Sequence, residues 1–162
     1  MLELTRPTQV GDALLLPSGS VTLTQQQRER SRLRVQLDDG RDAGILLARG
    51  ETLTPGDHLV TGTGEIIEVQ AAAEKLSVAV CADPLLHARA CYHLGNRHVQ
   101  LQIDAQRIAY RHDHVLDEML QQLGLSVTVG LHTFVPESGA YAQRGGHGHP
   151  HHDHHSAHEH SH

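Results

Sequence analysis

Hydrophobic and polar residues alternate in short runs through the first 73 residues, and turn residues separate the runs. Apolar side chains occupy every second position from Leu33 to Leu37, and the hairpin dipeptide Asp39-Gly40 follows. A returning strand is predicted at 45–47, after this turn. Other strands are predicted at 58–60 and 66–69, bounded by glycines and by Pro55-Gly56-Asp57. The pattern predicts a small all-β domain over residues 1–73.

After Ala71-Ala-Ala73, a short linker or strand edge, helical periodicity joins the strand pattern. Asp83-Pro84 is a typical helix start, and Gly95 is the expected stop of that helix. A second helix is predicted from Asp113 to Gly124. The strands predicted around these helices are at 76–81, 98–103, 107–111 and 125–135. This β-α-β-β-α-β order predicts a ferredoxin-like domain over residues 74–144, so the expected fold class is α+β.

His98 falls on the polar face of the strand predicted at 98–103, where apolar residues alternate with polar ones from Val99 onward. Taken alone, an exposed histidine of this kind is most simply a solvated side chain. A two-fold dimer axis close to the strand would change that reading, because it brings each residue near its own copy.

The composition indicates a kind of chemistry, metal binding, that the hydrophobic pattern does not reveal. The chain has 16 histidines, and nine of them lie in the last sixteen positions. Imidazole suits nickel, copper, zinc and cobalt, so this segment predicts metal binding. A purification tag is the alternative, but residues such as Pro150 and Asp153 interrupt the run. The segment 145–162 lacks apolar periodicity and is predicted to be disordered without metal. Its histidines are His147, His149, His151, His152, His154, His155, His158, His160 and His162.

His112-Asp113-His114 is the sharpest candidate outside the tail, because two histidines at i and i+2 in an extended segment point to the same side. The alternative is that Asp113 only caps the second helix and both histidines are solvated. His87 and Cys91 are four apart on the first helix, and a partly buried helix surface explains them more simply than a metal site does.

Charge and missing motifs exclude several function classes. The formal net charge of −6 argues against general nucleic-acid binding. We expect a cytoplasmic protein, because the N-terminus lacks a signal-peptide pattern and no segment reaches the length of a membrane span. Catalytic signatures such as a Walker loop are missing, so an enzyme is not expected. Four alternating arginines predict one exposed strand face, or a docking surface for an acidic protein: Arg28, Arg30, Arg32 and Arg34.

The block from Tyr92 to His98, with Leu101-Gln-Ile103 and His112 to Asp117, resembles the UreE family of urease accessory proteins, which are nickel metallochaperones. The resemblance implies a homodimer in which His98 pairs with its copy across the interface, while His112 and His114 are peripheral ligands. It implies an N-terminal domain similar to a chaperone peptide-binding fold and a tail that stores nickel. It also implies partners: a urease accessory GTPase and apo-urease held with its other accessory proteins.

The ligand set itself does not select nickel, because imidazole sites also bind Cu²⁺, Zn²⁺ and Co²⁺, and copper generally most tightly. Metal shared between dimers would also allow a tetramer. Two other functions stay open: a histidine-rich metal buffer without a specific acceptor, and an interaction module in which metal only sets the oligomeric state.

Overall fold

The computed structural model describes residues 1–7 and 16–139, and it is a mixed α+β structure with two sheets. The histidine-rich segment 145–162 therefore lies outside the described residues. Every helix within the described ranges is too short or too polar to cross a membrane.

The N-terminal sheet has six strands in the order β2-β6-β5-β1-β4-β3. Its strands are β1 (Leu2–Thr5), β2 (Gly19–Leu23), β3 (Arg32–Gln36), β4 (Asp42–Leu46), β5 (His58–Thr61) and β6 (Ile66–Ala71). The predicted hairpin is confirmed: β3 and β4 pair antiparallel, and Gly40 has the positive φ of 90° that this turn requires. A continuous apolar core that includes Leu4, Ile45 and Ile67 lies beneath the strands.

The N-terminal region is not all-β, because a short helix, α1 (Gln25–Arg28), follows β2. Thr24 and Gln27 form a reciprocal capping box that starts this helix. The helix corrects the prediction for the four arginines. Arg32 and Arg34 are exposed on β3, but Arg28 belongs to α1 and is only 4% exposed.

The C-terminal sheet has four strands in the order β10-β7-β9-β8, and neighbouring strands all pair antiparallel. Its elements are β7 (Ala73–Val80), α2 (Pro84–Gly95), β8 (Gln102–Asp104), β9 (Arg107–Arg111), α3 (His114–Gln122) and β10 (Ser126–Thr133). Both helix starts are as predicted, since the Asp83 and Asp113 side chains accept hydrogen bonds from first-turn amides. Apolar residues of the two helices pack with those of β7 and β9 in one core, which includes Leu94, Ile108 and Leu120.

The chain after β10 passes over the other face of this sheet. Phe134 is fully buried there against Leu76, Val78 and Ala109. The amide of Glu137 then donates to the carbonyl of Leu101, just before β8, at 2.7 Å. The strand predicted to run to residue 135 therefore ends at Thr133, because Phe134 turns into this second apolar cluster.

Candidate metal centre

His98 lies in the turn after α2, and not on a strand as predicted. Its amide donates to the carbonyl of Gly95 at 2.9 Å, and the amide of Val99 reaches back to the carbonyl of Leu94 at 3.4 Å. This pair of bonds is the Schellman pattern that closes many helices. The helix ends at Gly95 as predicted, but Gly95 is itself helical, the left-handed position after the helix falls on His98, and β8 begins only at Gln102.

The backbone of His98 is strained, because its φ is +56°. Among the residues described, it is the only one other than glycine with a positive φ. The left-handed region costs an L-residue about 1–2 kcal/mol, which is why glycine usually ends such helices. Strain of this kind is often held at functional positions. The side chain is exposed to solvent and is therefore open to a ligand.

His112 and His114 lie on either side of Asp113, where β9 leads into α3. Asp113 Oδ1 accepts hydrogen bonds from the amides of Val115 at 2.8 Å and Leu116 at 3.3 Å, so its capping role is confirmed. His114 is the first residue of α3 and is exposed. The side chain of His112 is partly enclosed, with 28% of its surface exposed.

Two buried polar groups face His112, and a third contacts one of them. Its Nδ1 is 3.1 Å from the hydroxyl of Ser77 and 3.2 Å from Oδ2 of Asp117. The second oxygen of Asp117 accepts a hydrogen bond from the hydroxyl of Tyr110 at 2.7 Å. Burial, followed by this bond to Asp117, raises the pKa of Tyr110 far above its usual range. With Nδ1 occupied, Nε2 is the nitrogen left for a ligand outside the protein.

The topology places His98 and His112 toward the same end of the C-terminal sheet. Gln102 pairs with Ala109 and Asp104 pairs with Arg107, so β8 and β9 run antiparallel. The segment entering β8 and the segment leaving β9 therefore share one end. His98 lies on the first segment, and His112 and His114 lie on the second.

One chain does not complete a metal site by itself within residues 1–7 and 16–139, where no group of three or more His, Cys, Asp or Glu could hold an ion. His87 and Cys91 do not form such a group either. Cys91 is half-buried on the face of α2 that packs on the core, and burial raises the pKa of its thiol. The nine tail histidines, His147 to His162, lie outside the described residues.

Sequence reasoning missed Ser77, Tyr110 and Asp117 as partners of His112. Alternation along β9 could have indicated that His112 lies beside Tyr110 at the edge of the core. Residues Ile108, Tyr110 and His112 share one face, and the first two are fully buried. Ser77 is the cross-strand partner of Tyr110, and only the pairing of β7 with β9 reveals it.

Two family models cover nearly the whole chain. The model described as "UreE urease accessory protein, N-terminal domain" matches residues 5–72, and the one described as "UreE urease accessory protein, C-terminal domain" matches residues 74–162. The chain belongs to the UreE family of urease accessory proteins.

Similar proteins bear the same family name. The urease accessory protein UreE of Citrobacter koseri is 51% identical to this UreE-family chain over 152 residues, which cover 93% of the chain and 97% of that protein. The UreE of Enterobacter sp. (strain 638) is 58% identical over 125 residues, covering 76% and 82%. That of Proteus mirabilis is 50% identical over 125 residues, covering 77% and 78%.

Proposed function

We propose that this protein carries Ni²⁺ as cargo and delivers it for assembly of the urease metal centre, without catalysing a reaction itself. Its membership in a urease accessory family supports the urease part of this proposal. Delivery proceeds in the cytoplasm through a partner GTPase to apo-urease held with other accessory proteins.

The observation that carries the proposal is an exposed imidazole at a strained helix end, His98, at the same end of the sheet as His112 and His114. A single chain supplies too few ligands in the described ranges to enclose an ion. A homodimer supplies more, because a two-fold axis beside His98 brings it to His98 of the partner subunit. The principal ion then binds at the axis, and His112 and His114 act as peripheral ligands.

The domain organisation belongs to the same proposal. Residues 74–144 form a ferredoxin-like domain that dimerises, and residues 1–73 form a separate N-terminal domain that contacts protein partners. The element order β-α-β-β-α-β and the strand order β10-β7-β9-β8 support the first assignment.

The histidine-rich tail, residues 145–162, acts as an auxiliary reservoir and relay. A tether near the axial site raises the local imidazole concentration, so ions pass between ligands without release to bulk water. Partly hydrated sites of this kind exchange faster than a closed cage, which favours delivery over storage. Selection of nickel over copper must then come from geometry and from the acceptor, because imidazole alone favours copper.

Nickel titration by calorimetry, with native mass measurement in parallel, tests the proposal on four forms of the protein. These are the intact chain, a chain ending at Arg144, His98→Ala, and the two changes combined. We expect the shortened chain to keep about one ion per dimer, as a site on a two-fold axis requires. The intact His98→Ala protein should keep tail capacity but lose the tightest site and most urease activation.

His132→Ala is the matched control, because His132 is exposed on β10 and has no assigned role. A metal buffer without a specific acceptor predicts the opposite result, with nearly all binding lost on shortening. Normal urease activation by His98→Ala would remove the axial site from the mechanism. Full delivery by a chain lacking residues 1–70 would remove the N-terminal domain from it.

A further inference from the structure

The Nδ1 side of the His112 ring contacts a buried polar network, which a metal ligand does not need for coordination itself. Nδ1 faces two oxygens, the hydroxyl of Ser77 at 3.1 Å and Oδ2 of Asp117 at 3.2 Å. The Asp117 side chain is 12% exposed, and Tyr110 is fully buried. Partners this enclosed have few alternative contacts, so they fix the orientation of the ring.

The carboxylate decides which nitrogen of His112 carries the proton. A serine hydroxyl donates or accepts, but an ionised carboxylate only accepts. If Nδ1 were unprotonated, its lone pair would face Oδ2 of Asp117, which is repulsive. A proton on Nδ1 instead faces the negative charge of Asp117 within ion-pair distance, at 3.2 Å, which is attractive. The Nδ1–H form is therefore favoured, and the lone pair of neutral His112 lies on Nε2.

Tyr110 keeps Asp117 in place for this task. Its hydroxyl donates to Oδ1, so one carboxylate oxygen is occupied and the other remains directed at His112. Burial, then the bond to Asp117, raises the pKa of Tyr110, and the hydroxyl stays a donor at any working pH.

We propose that Asp117, supported by Tyr110, is a positioning residue that sets the tautomer of His112 and so presents Nε2 to a metal ion. The inference deepens the proposed function and rests on it for the identity of the ligand. Carboxylates behind metal-binding histidines act in this way, and their loss typically weakens metal binding by about 10- to 100-fold.

The test is the tautomer of His112 in the full-length, metal-free protein, read from nitrogen-15 shifts of labelled histidine at about pH 8, above imidazole titration. His112→Ala identifies the signals. A held Nδ1–H ring gives two well-separated nitrogen shifts, whereas solvated rings give averaged ones. In Asp117→Asn, the Tyr110 hydroxyl retains the amide oxygen and the amide NH₂ faces Nδ1, so the proton should move to Nε2. Asp117→Ala leaves only the Ser77 hydroxyl beside Nδ1, which donates or accepts, so both tautomers should be populated and the shifts averaged.

Two controls separate this role from general damage. Ser77→Ala should leave the Nδ1–H form intact, and Glu118→Gln makes the same charge change at an exposed neighbour on α3. Unchanged His112 shifts in both Asp117 variants, or a tautomer change in Ser77→Ala alone, would overturn the inference.

Metal titration of the same variants distinguishes this inference from the proposed function. We expect Asp117→Asn to weaken the peripheral site by about 10- to 100-fold and to leave the axial site unchanged. If His112→Ala itself leaves nickel binding unaltered, the ligand assignment of the proposed function fails, whatever the tautomer shows. If His112→Ala weakens binding and Asp117→Asn does not, the positioning inference fails alone.

Discussion

At the scale of one residue, His98 has a strained backbone, which lowers stability, and an exposed side chain, which a ligand can reach. Its φ of +56° lies where glycine is favoured, and its side chain is exposed. Neither feature improves packing. Glycine would relieve the strain at this position, so the strained and exposed imidazole points to a function.

This conflict predicts that His98→Gly separates stability from metal binding. Relief of the left-handed strain gains about 1–2 kcal/mol, and the greater freedom of glycine in the unfolded chain offsets about 0.5–1 kcal/mol of that. We expect the metal-free variant to be more stable by about 0 to 1.5 kcal/mol in chemical denaturation. His98→Ala, which keeps the strain, should show no gain. Both variants should lose the tightest nickel site, and a destabilised His98→Gly would contradict the strain argument.

At the scale of elements, the start of α3 depends on Asp113, whose Oδ1 accepts two first-turn amides. Removing a cap of this type costs about 0.5–2 kcal/mol. Asp113→Ala should therefore lower the free energy of unfolding by about 1 kcal/mol, whereas Asp113→Asn should preserve it. Circular dichroism during denaturation measures this, since the chain has no Trp to report by fluorescence. If Asp113 is only a cap, Asp113→Asn also leaves nickel binding unchanged, and a loss of binding would make it a ligand.

Local rules predicted the elements well because their signals lie within a few residues. The Asp39-Gly40 hairpin and the caps at Asp83 and Asp113 are of this kind, and all three are confirmed. The position of His98 was predicted wrongly. The alternation of apolar and polar residues at 98–103 indicated a strand, but the Schellman hydrogen bonds of His98 and Val99 place His98 in the turn that closes α2. Ser77 lies 35 residues before His112, so only strand pairing brings the two together.

At the scale of the whole molecule, α1 joins the two sheets through polar contacts. Arg28 is buried and donates to the carbonyl of Phe134, beyond β10. Burial lowers the pKa of Arg28, while the charges of Glu74 and Glu29 act in the opposite direction. The Glu74 side chain also accepts a hydrogen bond from the backbone amide of Gln25, the first residue of α1, at 2.9 Å. One carboxylate from β7 therefore binds the start of α1 and offsets the charge of Arg28.

This arrangement predicts that Glu74→Gln loosens the junction. The change leaves Arg28 buried with less compensating charge and weakens the acceptor for Gln25, which should cost about 1–3 kcal/mol. Hydrogen exchange should show faster exchange of the Gln25 amide, with little change in β4 or β5, which lie within the N-terminal sheet.

Glu3→Gln removes the same charge from an exposed side chain on β1 and should alter neither stability nor exchange. Equal effects of the two variants would mean that net charge, and not the contact of Glu74 with α1, couples the sheets. Glu29, directly after α1, accepts a hydrogen bond from Gln100, so a loosened junction should extend faster exchange to the segment that carries His98.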